Sequence, residues 1–122
     1  MKVIAVACLL AGALVTGDAA AADMLPLKQG LYVPVETPCK GASNVDIVNY
    51  WGKDSSIGTA QAKCKIKNIS KKGKDYTITD TCVDIRSGDE IEGEPTHVTI
   101  ASSTNFTMGG VAYRYCGTKV QF

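Results

Sequence analysis

One histidine, His97, stands in 122 residues, beside one tryptophan and two phenylalanines. No C-x-x-C pair occurs, which excludes a thioredoxin-like redox motif. No serine sits in a G-x-S-x-G elbow. The cysteines downstream of residue 23 are 25, 18 and 34 positions apart, without the close pairs that zinc sites use. Strong charge of either sign is also missing. Lys and Arg number 13 against 12 Asp and Glu, a net +1, so the balance implies neither nucleic acid nor an acidic membrane as partner. No window past the leader carries a 3.6-residue apolar period, so helices are not expected.

The first 22 residues read as a secretory signal peptide. Lys2 supplies the positive charge, Val3–Val15 the apolar run, and Ala20–Ala22 the small-residue exit. Thr16, Gly17 and Asp18 stop the run short of the roughly 20 apolar residues of a membrane span. Cys8 lies mid-run, with too little hydrophobic segment before it for a lipid-attachment site. Cleavage before Asp23 leaves one domain, residues 23–122, of 100 residues. Losing Lys2 and Asp18 takes the charges to 12 and 11, still +1. No stable membrane anchor is expected, and the location is periplasmic or secreted.

The domain keeps four cysteines, Cys39, Cys64, Cys82 and Cys116. In an exported chain of this size they read as two disulfides. If consecutive strands simply run up and down, the least strained pairing is Cys39–Cys64 with Cys82–Cys116. The other two connectivities stay open.

Strand signals fill the rest. Gly30–Val35 is short and β-rich, with Pro34 marking an edge or strand end. Asn44–Gly52 is β-branched and aromatic. Ala62–Ser70 alternates, with Cys64 and Ile66 on one face and Lys63, Lys65 and Lys67 on the other. After the Lys71–Lys74 turn, Asp75–Val83 returns with Tyr76, Ile78, Asp80 and Cys82 on one face. These segments form a hairpin, Ala62–Val83. Arg86–Pro95 reads as a polar loop or frayed strand. Thr96–Ser102 alternates again, and Thr104–Cys116 holds two strands around a Gly-Gly break. The fold class expected is all-β: a small antiparallel barrel or sandwich of six to eight strands with two disulfides.

Few residues suggest chemistry. A catalytic His97 would need Glu94 or Asp89 as orienter, but it is out of phase with Val98 and Ile100 and should face solvent. Asp80, Asp84, Asp89, Glu90, Glu92 and Glu94 crowd one stretch, and Lys63, Lys65, Lys67, Lys71, Lys72 and Lys74 another. The acidic segment lacks EF-hand order. Lysines on an outer strand discourage edge pairing, and the two patches together also suit electrostatic docking. Tyr76 and one of Tyr113 and Tyr115 are expected in the core. Tyr50 and Trp51 are adjacent, so one of them faces outward. No catalytic, metal-binding or cofactor-binding residue is assigned, and no cofactor is expected. The candidate partner contacts are Trp51, Lys53, Lys63, Lys65 and Lys67.

The stretches Met24–Asn44, Tyr50–Gly52, Ser56–Gly58 and Tyr113–Cys116 carry a resemblance. L-P-L-x-x-G-x-Y-V-x-x-x-T-P-C followed by A-S-N resembles a group of small exported proteobacterial proteins, which implies bacterial export. A looser likeness, of architecture only, is to the periplasmic lysozyme inhibitors: their S-G-x-x-Y loop motif is absent from this chain. The expectation is a non-enzymatic binding module, of the inhibitor or immunity kind, acting on an envelope or extracellular protein. The alternative is a small-molecule or lipid carrier on a closed barrel.

Overall fold

A computed structural model describes residues 23–92 and 94–121. The signal-peptide reading lies outside these residues. Nine strands and no helix are found among them: β1 (Gly30–Pro34), β2 (Val48–Tyr50), β3 (Gly58–Thr59), β4 (Ala62–Lys72), β5 (Asp75–Asp84), β6 (Glu90–Glu92), β7 (Thr96–Ser102), β8 (Asn105–Met108) and β9 (Val111–Gly117).

Eight strands close an antiparallel barrel in the order β1-β2-β3-β4-β5-β7-β8-β9, with β9 returning to β1. β6 is the extra strand. It shares an edge of β5 with β7: β7 pairs Asp75–Ile78, and β6 pairs Thr81–Val83. The barrel therefore opens beside β5 where the two part.

Local chemistry explains the turns. Gly109 and Gly110 both have positive φ (60° and 79°) between the paired Met108 and Val111, which is the two-residue turn that matches strand twist. The β4–β5 hairpin carries a bulge at Lys67, between the Ile66↔Asp80 and Asn68↔Thr79 pairs.

Alternation points aromatic and branched residues inward, and an eight-stranded barrel is just wide enough for them to fill it. Tyr32, Tyr50, Ile78, Val98 and Phe106 are all buried. Tyr32 lies 5.1 Å from Phe106 and 5.3 Å from Tyr115, ring centre to ring centre, and Phe106 stacks on Tyr113 at 5.1 Å. Such pairs add about 0.5–1.5 kcal/mol each beyond burial. Both Tyr113 and Tyr115 pack against the core, where one was expected; two residues apart on one strand, they share a face.

The four cysteines form two disulfides as expected, but the expected pairing is overturned. Cys39 bonds Cys116, with Cα atoms 5.6 Å apart, and Cys64 bonds Cys82, with Cα atoms 4.0 Å apart. The reason is closure. β9 lies beside β1, so the chain leaving β1 meets the end of the last strand. Cys64 and Cys82 already face each other across the hairpin. The strand expected from Asn44 is shorter: Asp46 N–H donates to Ser43 C=O at 2.9 Å in a turn, and β2 spans only Val48–Tyr50.

Two disulfides belong to an oxidising, non-cytoplasmic environment. No helix among the described residues is long and apolar enough to cross a membrane.

Candidate functional site

The two ends of the barrel differ. One is plugged by Asp23–Gln29. Leu25 and Leu27 join the core cluster, and inward tyrosines hold the backbone around them. Tyr32 O–H donates to Lys28 C=O at 2.6 Å. Tyr50 O–H donates to Leu25 C=O and accepts from Leu25 N–H, both at 3.2 Å. Tyr115 O–H donates to Gln29 C=O at 2.8 Å. Burial pushes the Tyr32 phenol up to about 12, with Tyr115 adding to the rise. Burial also raises Tyr50.

The other end is an open mouth of about 500 Å³, lined in part by Ile57, Ile91, Met108 and the Cys64–Cys82 disulfide. Asp80 faces into it, placed there by the same alternation that sends Tyr76 and Ile78 into the core. Its Oδ2 accepts from Ser56 O–H at 2.7 Å. Its Oδ1 lies 3.6 Å from the Cys82 sulfur, which has no proton to donate as a disulfide. Cys64, Asp80 and Cys82 place their ligand atoms within 4.8 Å of one another, but the two sulfurs bond each other, so no thiolate remains there for a metal.

His97 is exposed on the rim, as its phase predicts, with Nδ1 3.2 Å from Thr77 Oγ1. Glu94 also lines the mouth; Asp89 is not among its lining residues. Asp84 turns inward on its own loop, accepting from Arg86 N–H at 2.8 Å and Ser87 N–H at 3.1 Å.

Outside the barrel, the sequence-selected contact residues separate. Trp51 (45% exposed) and Lys63 line one shallow depression, together with Ala60 and Ile85. Lys63 and Lys65 line an adjoining one with Val83 and Ile85. Lys63 stands opposite Val83, and Lys65 opposite Thr81. Lys65 also meets Asp54 at 3.4 Å, a solvated pair worth little to stability. Lys53 does not join this face. It has φ 51°, and its N–H donates to Asp23 Oδ1 at 2.7 Å, by the plugged end. Lys67 is exposed at the bulge and lines neither depression.

Ile85 (60% exposed) was not singled out from sequence, yet it lines both depressions and a third beyond them with Val45 and Arg86. An isolated isoleucine in the polar run Asp84–Gly88 was the available signal. For Asp80 the signal is its phase, shared with Tyr76 and Ile78, which sets a carboxylate inside the barrel mouth.

Compared with known protein families, characterised proteins and solved structures, the chain matches none.

Proposed function

We propose that this protein is an exported, non-enzymatic binding module that docks on an acidic protein of the cell envelope or exterior, in the manner of an inhibitor or immunity protein. The observation that carries the reading is the outer face of β4 and β5. Val83 on β5 and Ile85 just past its end stand exposed with Lys63 and Lys65, and Trp51, exposed after β2, borders them in a depression shared with Lys63 and Ile85. Apolar anchors release surface water on contact, and aromatic residues dominate such interfaces. The lysines steer an acidic partner and set its register. Lys72 at the end of β4 and Lys74 in the turn beyond it are also exposed, while Lys71 stands opposite Tyr76 with its ammonium 5.6 Å from that ring.

The filled interior favours this reading over a lipid carrier, because Tyr32, Tyr50, Phe106 and Ile78 occupy the space an acyl chain needs.

Immobilised protein with both disulfides formed should retain one acidic protein from an envelope or secreted extract at low salt and release it as salt rises. Trp51→Ala and Lys63→Glu should each abolish retention, with the fold intact by circular dichroism. Retention of nothing at low salt, or equal retention by both variants, overturns the proposal.

A further inference from the structure

The barrel mouth has a chemistry of its own, separate from the outer face. Asp80 is inward-facing and half-buried, and Ser56 fixes the orientation of its carboxylate through Oδ2. No described residue gives Oδ1 a hydrogen, since the Cys82 sulfur beside it is in a disulfide, and Asp80 lines a space of about 500 Å³. No lysine or arginine is among the described residues lining that space; its titratable side chains are the carboxyls of Asp80 and Glu94 and, exposed on the rim, the imidazole of His97. The one ion pair among the described residues, Lys65–Asp54, lies elsewhere. The nearby walls are apolar: Ile57, Met108, Ile91 and Pro95.

Each feature selects against part of the ligand range. An anion meets two carboxylates. A neutral alcohol satisfies Oδ1 but leaves the charge unanswered. A bare metal ion finds one carboxylate and no thiolate, because Glu94 and His97 do not share a ligand cluster with Asp80. An organic cation answers both halves of the mouth. Low-dielectric walls strengthen the attraction between an ammonium and a carboxylate, and a charge-assisted N–H···O bond is roughly twice as strong as a neutral one. An aliphatic tail covers the apolar side.

We propose that the barrel mouth binds a small aliphatic primary ammonium, its charge on Asp80 Oδ1 and its chain against Ile57 and Met108. This binding uses none of the docking residues Trp51, Lys63, Lys65 and Ile85, although Cys64 lines both regions.

Titration with hexylammonium, followed by amide NMR, tests it. The expected result is saturable shifts at Ile57, Asp80, Met108 and His97, with hexanol and hexanoate at least tenfold weaker. Asp80→Asn keeps the shape and the Ser56 contact and should weaken binding at least tenfold. If that variant misfolds, His97→Lys places a competing cation on an exposed rim position and should weaken binding several-fold. Trp51→Ala should leave it unchanged. An Nα-acetyl-lysine methylamide arm separates two sources of the same group: equal affinity assigns the site to a polypeptide lysine, and weaker affinity to a free amine. Equal binding of hexanol, full binding by both Asp80→Asn and His97→Lys, or shifts confined to other surfaces overturns the proposal.

Discussion

The Arg114 guanidinium donates to the Thr37 carbonyl oxygen at 2.6 Å, and its other arm reaches the Cys39 sulfur at 3.3 Å. Arg114 and Cys116 lie on the outer face of β9, because Tyr113 and Tyr115 take the inner one. The chain after β1 folds back across that face. Pro34 C=O accepts from Thr37 N–H at 2.8 Å, and the Cys39–Cys116 bond lies beyond. This crossing accounts for Val33, which is buried although it points away from the core cluster and pairs with Arg114. The Thr37-Pro38-Cys39 segment is thus a clamp on the seam where first and last strands meet.

Replacing Arg114 should loosen the clamp without breaking it. Arg114→Ala loses a charged hydrogen bond to a backbone carbonyl, and the expected cost is about 1.5–3 kcal/mol. Arg114→Lys should recover only part, since a single ammonium cannot serve two acceptors as a planar fork does. Urea unfolding of the oxidised proteins measures both; an unchanged midpoint for Arg114→Ala would show the contact to be idle.

The two disulfides should differ in weight. Cys39–Cys116 spans 77 residues and Cys64–Cys82 spans 18. On the chain-entropy account these loops contribute about 4.5 and about 3 kcal/mol respectively. The Cys39→Ser/Cys116→Ser double variant should therefore melt lower than Cys64→Ser/Cys82→Ser. A non-reducing peptide map should recover Cys39 with Cys116 and Cys64 with Cys82.

The Cys64–Cys82 bond was readable in the sequence and the other was not. Cys64 lies nine residues before Gly73 and Cys82 nine after it, so a hairpin turning there sets them nearly opposite, and the Lys67 bulge completes the register. Period-two alternation likewise exposed β4, β5 and β7, because it is local. Closure is not local. Nothing within Gly30–Pro34 or Val111–Gly117 states that these strands pair, so a linear ordering put Cys39 with the wrong partner. β6 answers to the frayed-strand alternative for Arg86–Pro95, which stayed open because Glu90, Ile91 and Glu92 resemble the polar loop around them. At the mouth, the phase of Asp80 was visible, but that its strand loses its neighbour between β6 and β7 was not. On the outer face, Trp51 and Lys63 were chosen by residue type, and the fold sets Ile85 beside both.

Gly30 should tolerate no side chain. Its φ is +146°, and a Cβ there would overlap the Gly117 carbonyl oxygen and the Tyr115 ring. This is the glycine of the L-P-L-x-x-G stretch, where the plug segment turns into β1. Gly30→Ala should cost about 1–3 kcal/mol from backbone strain alone, and more from displacing Tyr115. A melting temperature within a degree of the parent protein would contradict the close approach.

Alkali should attack the plugged end first. The Tyr32 phenol is raised from 10.0 to about 12 by burial, so the folded state holds its proton more tightly than the unfolded chain. The associated stability is complete below pH 10 and drains away as pH rises through about 12. A rise of that size corresponds to roughly 3 kcal/mol. Tyr50 shifts in the same direction and steepens the loss. Tyr32→Phe removes the ionisable group together with its bonds to Lys28 C=O at 2.6 Å and Ser103 C=O at 3.2 Å. At neutral pH that variant should be about 1 kcal/mol less stable, yet its stability should fall less steeply above pH 10. Urea unfolding at pH 7, 10 and 11 distinguishes the two effects. Parallel losses in parent and variant would mean that Tyr32 does not govern the alkaline limit.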